Sequence, residues 1–221
     1  PLQFEDKSDL AKYPKTPEHD AELAQAAGAT LLWRPSVADI YPGDERKISA
    51  GELGARFEGV NRPGHFDGVL TVVNRLFTLV RPRFAVFGEK DLQQLFLIKQ
   101  MAAQLHPDIE IIAAPTIRED SGLALSSRNI RLSSSGREIA TKISQALKAA
   151  ANQDSLTQMR VELKRLNDQS GFRLDYAEII DAQTFNIATE QSEDRRAIVA
   201  GWVEGVRLID NMAMQSALVR L

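Results

Sequence analysis

The stretch FAVFGEKDLQQLFLIKQ, Phe84–Gln100, decides the fold prediction. Its apolar start predicts a short buried strand, and the residues from Asp91 to Leu105 have the spacing of an amphipathic helix. Between strand and helix stands Gly88–Asp91, which carries more charge than a simple turn needs. The free N–H groups and the dipole of a helix start favour anions, and Lys90 adds a full positive charge. The junction is therefore a candidate anion site.

Helices and strands alternate on both sides of this stretch. Thr16 and Pro17 are expected to start the first helix, and Asp67 is expected to cap the third element. The predicted elements are a helix over 18–27, a strand over 30–33, a helix over 68–80, the strand over 84–87, the helix over 91–105 and a strand over 109–114. This alternation is typical of a parallel sheet wrapped by helices. The first strand of such a sheet is expected upstream of Pro1.

The pattern changes after Pro115. A polar segment without periodicity leads into two predicted helices and then three predicted strands, the last two joined by Glu204-Gly205 as a hairpin turn. These elements are helices over 134–150 and 155–167 and strands over 174–180, 196–203 and 206–209. We expect an α/β protein with a Rossmann-like domain over residues 1–115 and a small α+β domain with an antiparallel sheet over residues 116–221.

Composition narrows the class of protein. The 221 residues are 43% hydrophobic, which is ample for a buried core, and the net charge of -3 argues against nucleic acid as a partner. The sequence has no cysteine, which excludes disulfides and suits a reducing cytosol. No apolar run reaches the ~20 residues that a bilayer-spanning helix needs, so no membrane partner is expected.

Three clusters offer chemistry, each with an ordinary structural alternative. Gly88–Asp91 is either a phosphate cradle or a charged βα loop, and Gln94 shares a helix face with Asp91. In Leu125–Asn129, two serines and an arginine suit phosphate oxygens, but the segment also fits a polar surface loop.

The third cluster contains His65, in the segment Asn61–Phe66. It is a candidate general acid or base, a helix cap or an interface residue, whereas His19 and His106 are expected to be solvated. Arg118 and Glu119 could pair with each other. The sequence contains no spacing that suggests a protein-held metal.

Taken together, the motifs resemble those of the pantothenate synthetase (pantoate–β-alanine ligase) family. The joint presence of GEKD-x-QQ and GLALSSRN is the specific part of the resemblance. The matching motifs span nearly the whole chain, and they are Pro1–Phe4, Asp9–Pro14, Arg62–Phe66, Phe87–Asp91, Asp120–Asn129 and Arg207–Asn211.

The resemblance implies a nucleotidyltransferase domain with a smaller C-terminal lid. It implies ATP-driven joining of pantoate to β-alanine through a pantoyl adenylate, with AMP and pyrophosphate as products. It also implies Mg²⁺ carried on the ATP phosphates, a cytoplasmic location and a homodimer. The apolar face between Val69 and Phe77, with the Arg62–Phe66 turn, is a candidate dimer surface.

The resemblance also implies roles for particular residues. Gln3 and Gln94 would hold pantoate, and Gln3 would lie near β-alanine. Lys90, Ser126 and Arg128 would act on the reacting phosphate. The residues expected to bind ATP are Gly88, Glu89, Lys90, Asp91, Ile117, Leu125, Ser126, Ser127 and Arg128, with Ile117 contacting adenine through its main chain.

Three departures from the family pattern accompany the resemblance. The family's His-x-Gly-His signature, with its catalytic histidine, would lie upstream of Pro1. Leu92 stands where the family usually has an aromatic residue, and Ile130–Leu132 differs from the common continuation of SSRN. Two alternatives follow: a truncated form that only binds or dimerises, and a different adenylate-forming nucleotidyltransferase.

Overall fold

The computed structural model describes residues 16–43 and 46–214 of the protein. The α-helices in these residues are α1 Pro17–Ala26, α2 Val37–Ile40, α3 Glu58–Asn61, α4 His65–Val80, α5 Leu92–Leu105, α6 Ser134–Ala151 and α7 Leu156–Lys164. The 3-10 helices are Glu52–Ala55, Glu89–Asp91, Ser127–Arg131 and Arg165–Asp168. The strands are β1 Phe84–Gly88, β2 Glu110–Ala114, β3 Phe172–Asp181, β4 Arg195–Val203 and β5 Val206–Met214.

The described residues divide into two compact units. The first contains the chain up to Arg83 together with Leu97–Glu110, and the second contains Phe84–Phe96 and the chain from Ile111 onward. β1 and β2 pair in a parallel sheet, and β3, β4 and β5 form a separate antiparallel sheet. These two sheets confirm the predicted fold class, whereas the domain boundary at residue 115 stays a prediction.

The core of the second unit lies between α6, α7 and one face of the antiparallel sheet. Alternate residues of β4 point into it, and Ala197, Val199 and Val203 are fully buried there. Leu147 on α6 and Met159 on α7 cover them from the helix side and are equally buried. Each valine, leucine or methionine side chain buried in this way stabilises the fold by about 1.5–3 kcal/mol relative to exposure. One sheet face is thereby committed to packing.

The opposite face of the same sheet carries polar side chains. Because successive side chains of a strand alternate, Arg196 points away from the core that its neighbour Ala197 joins. In the register of β4 and β5, Arg196 pairs with Ala213 and Ile198 pairs with Asn211. Arg196 and Asn211 are therefore diagonal neighbours on this second face.

The hairpin between β4 and β5 has the predicted two-residue turn. Glu204 and Gly205 have φ values of 50° and 76°, the left-handed pair that a type I′ turn requires. Glu204 also reaches the start of α6, where its carboxylate accepts hydrogen bonds from the main chain and hydroxyl of Ser133. The turn therefore fixes the entry to α6.

Two predictions in the first unit are wrong. Residues 30–33 form no strand, and Leu31 is 83% exposed. A strand persists only when its backbone pairs with a neighbour, and within the described ranges no strand pairs with this segment. α4 begins at His65 rather than at Gly68, and Gly64, with φ 77°, precedes it. Asp67 does not cap α4, because its carboxylate accepts the main-chain N–H of Ala50 at 2.7 Å.

The candidate dimer surface on α4 is also wrong in its central residues. Val69, Val73 and Phe77 are buried within the chain itself, as are His65 and Phe66. A side chain already packed in its own unit has no apolar area left to offer a second copy.

No helix in the described ranges is long and apolar enough to cross a bilayer.

Candidate functional site

The turn Glu89–Asp91 stands where the sequence predicts a strand-to-helix anion site. β1 ends at Gly88, one 3-10 turn follows, and α5 begins at Leu92. Gly88 is extended, with φ -72° and ψ 133°, so glycine is not needed there for its backbone conformation. Among the residues that the structure describes, a Cβ added at Gly88 would meet no atom within 4 Å. These residues therefore leave space for a ligand beside this backbone.

Lys90 is the cation of this turn. Its side chain is half-buried, and among the described residues the ammonium has no hydrogen-bond or ion-pair partner. The neighbouring carboxylate of Glu89 is engaged elsewhere, since Arg196 Nη2 donates to Glu89 Oε2 at 2.7 Å. The charge of Lys90 is therefore not neutralised by its neighbour.

Asn211 holds the main chain of the same turn. Its amide nitrogen donates to the carbonyl oxygens of Glu89 and Lys90 at 2.9 and 3.0 Å. Its amide oxygen accepts from Arg196 Nε at 2.7 Å. The turn is therefore attached to the polar face of the antiparallel sheet.

The second predicted cluster, Leu125–Asn129, forms a 3-10 turn from Ser127 to Arg131 instead of a free polar loop. Ser126 caps it, because its Oγ accepts the main-chain N–H of Arg128 at 3.2 Å. A hydroxyl that accepts still has its hydrogen to donate. Ser126 therefore has a donor available for an anion while it fixes the main chain of Arg128.

Two further residues support this second turn. Asn129 is buried and donates from Nδ2 to Ala124 O at 3.0 Å. Arg137 on α6 donates to Asn129 O at 3.1 Å and to Glu119 Oε1 at 2.6 Å. The expected alternative that Glu119 pairs with Arg118 is therefore wrong.

Arg118 pairs instead with Asp210 of β5. Its two terminal nitrogens donate to the two carboxylate oxygens of Asp210 at 2.6 and 2.8 Å, and Asp210 is 5% exposed. Asp210 Oδ1 also accepts the main-chain N–H of Asn211 at 2.7 Å. Forked geometry and burial make this the strong class of ion pair. No spacing in the chain signals this pair, since its two partners stand far apart in the sequence.

β5 connects the two candidate clusters. It contacts both the Glu89–Asp91 turn and the Ser127–Arg131 turn. Ile117, the predicted adenine contact, is linked to the second cluster, because its carbonyl oxygen accepts the main-chain N–H of Leu125 at 2.9 Å. β5 therefore lies beside both of the turns that carry residues predicted to bind ATP.

The glutamines predicted to hold pantoate are only partly described. Gln94 lies half-buried in the first turn of α5, and among the described residues its side chain has no hydrogen-bond partner. Gln3 lies outside the described residues. Within residues 16–43 and 46–214, no cluster of three or more His, Cys, Asp or Glu side chains could hold a metal.

The histidines differ from the expectations in one case. His65 is buried and accepts a hydrogen bond at Nε2 from Arg62 Nη1, 2.9 Å away. His106 is half-buried instead of solvated, and its Nε2 donates to Asn74 Oδ1 at 2.9 Å. Burial lowers the pKa of His106 from its ordinary value of 6.5. His19 is exposed as expected.

The chain matches known proteins of one family. The family model described as pantoate-beta-alanine ligase matches residues 1–213. A pantothenate synthetase of Bacteroides fragilis is 43% identical over 219 residues, which are 96% of this chain and 78% of that protein. A pantothenate synthetase of Cytophaga hutchinsonii is 42% identical over 223 residues, 97% of this chain and 79% of that protein.

Solved structures give the same result. The pantothenate synthetase of Thermus thermophilus superposes with a TM-score of 0.90 at 40% identity, covering 97% of this chain and 80% of that one. A second solved structure is the pantoate-beta-alanine ligase of Francisella tularensis complexed with beta-gamma ATP and beta-alanine. It superposes with a TM-score of 0.78 at 35% identity, covering 96% of this chain and 76% of that one. The chain belongs to the pantoate-beta-alanine ligase family.

Proposed function

We propose that this protein joins pantoate to β-alanine at the expense of ATP, releasing AMP and pyrophosphate. Family membership supports the pair of substrates, and the Francisella tularensis structure supports ATP as the third. The observation that carries the proposal concerns Lys90, which is half-buried and whose ammonium has no partner among the described residues. The turn that carries Lys90 contacts β5, as does the Ser127–Arg131 turn.

The first proposed step is adenylation. A carboxylate oxygen of pantoate attacks the α-phosphorus of ATP, the bond from that phosphorus to the bridging oxygen breaks, and pyrophosphate leaves. Negative charge gathers on the phosphate oxygens during attack. Lys90, Ser126 and Arg128 would stabilise that charge with an ammonium, a hydroxyl donor and a guanidinium. Such fixed donors act without reorganising during the reaction.

The second proposed step forms the amide. The amine of β-alanine attacks the acyl carbon of pantoyl adenylate, the carbon–oxygen bond to AMP breaks, and a proton leaves the nitrogen. Gln94 is proposed to hold pantoate by neutral amide contacts, as is Gln3. A neutral amide orients hydroxyls and a carboxylate without drawing charge from the attacking oxygen. A cation paired with that oxygen would weaken it as a nucleophile.

Mg²⁺ is proposed to enter on the ATP phosphates, where it would neutralise phosphate charge. This fits the donor set of the turns, which offers cations and hydroxyls in place of a carboxylate cage, and nucleotide-bound Mg²⁺ usually takes few protein ligands. A cytoplasmic location and a homodimer remain predictions from the resemblance.

An isotope experiment on the full-length protein tests the reaction. Pantoate labelled with ¹⁸O in its carboxylate should transfer one labelled oxygen to AMP, and pyrophosphate should form before β-alanine is added. ADP as the nucleotide product would contradict adenylation. Replacing pantoate with tyrosine or nicotinate mononucleotide should stop pyrophosphate release, and release with either would favour another nucleotidyltransferase. No turnover with any of them would favour a binding module.

A further inference from the structure

The last residue of the RLIDN motif, Asn211, has no role among the substrate contacts that the resemblance implies. Its side chain nevertheless lies buried, with the residue 3% exposed, on the sheet face opposite the hydrophobic core. A buried amide is retained only when its donors and acceptor are satisfied. The three partners that satisfy it all belong to, or contact, the turn that carries Lys90.

We infer that Asn211 and Arg196 are positioning residues for Lys90, an inference that rests on the proposed function. The Asn211 amide nitrogen donates to two successive main-chain carbonyls, those of Glu89 and of Lys90 itself. Two hydrogen bonds to successive carbonyls fix the direction of the main chain between them. The side chain of Lys90 therefore leaves the turn in a set direction.

Arg196 fixes the orientation of the Asn211 amide. Its Nε donates to Asn211 Oδ1 at 2.7 Å, and this leaves the amide nitrogen to face the two carbonyls. The same guanidinium donates from Nη2 to Glu89 Oε2 at 2.7 Å, with side-chain exposures of 17% and 28%. Arg196 and Asn211 thus bind each other and both bind the turn. These shared hydrogen bonds restrict movement of the turn relative to the sheet.

Arg196 has a second effect, which is electrostatic. Glu89 precedes Lys90 directly, and an unpaired carboxylate there would compete for the ammonium at close range. Because Arg196 occupies that carboxylate, the positive charge of Lys90 remains available to a phosphate. The structure thus keeps the carboxylate of Glu89 apart from the ammonium of Lys90 without removing either charge from the turn.

The main chain of Asn211 is itself held by hydrogen bonds to Asp210 and Arg118. Its main-chain N–H donates to Asp210 Oδ1, and its carbonyl oxygen accepts from Arg118 Nη2 at 3.3 Å. Arg118 follows Ile117, the proposed adenine contact. The contacts of residues 210 and 211 therefore connect the adenine segment to the Lys90 turn through one short piece of β5.

The test uses Asn211→Asp in the full-length protein. Aspartate has the same shape, but it replaces the amide donors with an oxygen facing two carbonyls. A shift of the turn by about 1 Å should slow adenylation by roughly 100-fold. The same change at the exposed Asn152 is the matched control and should leave the rate unchanged. Arg196→Met is the second variant, since its partly exposed site tolerates an apolar side chain.

A double-mutant cycle with Lys90→Ala separates positioning from a general structural effect. If Asn211 acts through Lys90, Asn211→Asp should add little to the loss already caused by Lys90→Ala, and Arg196→Met should behave alike. KM for β-alanine in the second step should stay near that of the parent. An equal loss with and without Lys90, or no loss when Lys90 is intact, overturns the inference.

The cycle also separates this inference from the proposed function. Absence of pyrophosphate release by the parent protein with pantoate and ATP refutes the proposed function. Normal release by the parent together with undiminished release by both Asn211→Asp and Arg196→Met refutes only the positioning roles. If Asn211→Asp does not fold, Arg196→Met and its cycle with Lys90→Ala decide between these outcomes.

Discussion

The two candidate phosphate-binding turns differ in what holds them. Glu89–Asp91 is held by side chains that stand more than a hundred residues later in the chain, Arg196 and Asn211. Ser127–Arg131 is held by near neighbours: its cap Ser126, its own Asn129 and Arg137 on the following helix. The first turn therefore depends on the completed antiparallel sheet, whereas the second depends mainly on local structure.

This difference bears on how the turns respond to damage. Loosening β5 should affect the first turn through the hydrogen bonds of Asn211. It should affect the second turn only through the contact between β5 and that turn. Loosening the start of α6 should affect the second turn alone. Single substitutions in each turn and in the residues that hold it distinguish these two kinds of support.

Lys90→Ala removes the cation that the first turn presents. Loss of one charge contact in the transition state costs about 3–4 kcal/mol, so adenylation should fall by roughly 100- to 1,000-fold. Pre-steady-state pyrophosphate release measures it. Lys99→Ala is the control, because Lys99 is exposed farther along α5. Thermal unfolding should be the same for both variants, and near-normal release by Lys90→Ala would remove the assigned role.

Asp210→Asn leaves the Arg118 guanidinium, whose side chain is 21% exposed, without the buried carboxylate that it pairs with. Removing one partner of a buried pair costs about 3–5 kcal/mol, and because Arg118 is partly exposed the free energy of unfolding should fall by about 3 kcal/mol, the low end of that range. Urea unfolding measures the loss. Glu162→Gln breaks the Arg165–Glu162 pair, in which Arg165 is 65% exposed, and should cost about 0.5 kcal/mol at most.

The Asp210→Asn variant also tests the support of the Lys90 turn. Because Asp210 orients Asn211, the Asp210→Asn protein should also adenylate more slowly at a temperature where it remains folded. Equal stability losses in Asp210→Asn and Glu162→Gln would mean that the Arg118 pair does not anchor β5.

Sequence reasoning succeeded where the determining contacts are local. The strand at Phe84 and the helix from Leu92 follow from apolar spacing within a few residues, and the Glu204-Gly205 turn follows from its residue types. The strand is not buried as predicted, because Phe84 and Val86 are 47% and 64% exposed, and burial depends on covering elements that local spacing does not specify. Sequence reasoning failed at residues 30–33, because an apolar run becomes a strand only beside a partner strand. It also misplaced the start of α4, because Asp67 binds Ala50 in place of its own helix.

The site divides in the same way. The residues that would contact ATP carry recognisable motifs, so the sequence names Lys90, Ser126 and Arg128. The residues that hold them carry no such motif. Arg196 and Arg118 pair with carboxylates that are distant in the sequence, and the folded sheet brings each pair together. Asn211 stands in a motif, RLIDN, but a motif names a residue without naming its partners.

Arg137→Met tests the local support of the second turn. It removes the donors to Asn129 O and to the Glu119 carboxylate. A charge-assisted bond contributes about 1.5 kcal/mol, so kcat/KM for ATP should fall by roughly tenfold. Arg165→Met, at an exposed arginine of the same unit, should leave it unchanged. A loss as large as that of Asn211→Asp would show that both turns depend equally on distant support.

Glu204 provides the smallest of these effects. Hydrogen bonds from the Ser133 hydroxyl and main-chain N–H hold the pKa of the Glu204 carboxyl below its ordinary value of 4.5. The unfolded chain therefore binds more protons as pH falls past 4.5, and stability must fall with it. The contribution is fully present above that pH and is lost as pH drops through the lower, folded-state pKa.

Glu204→Gln should remove this part of the pH dependence. Urea midpoints measured from acid to neutral pH should differ most from the parent near neutral pH and converge in acid. Glu193→Gln, at an exposed glutamate of the same unit, should follow the parent throughout. Because Ser133 follows the second turn closely, the Glu204 variant should slightly weaken ATP binding and leave the Lys90 turn unaffected. A pH profile unchanged by Glu204→Gln would mean that the hairpin does not anchor the start of α6, and the second turn would then rest on Arg137 and Asn129.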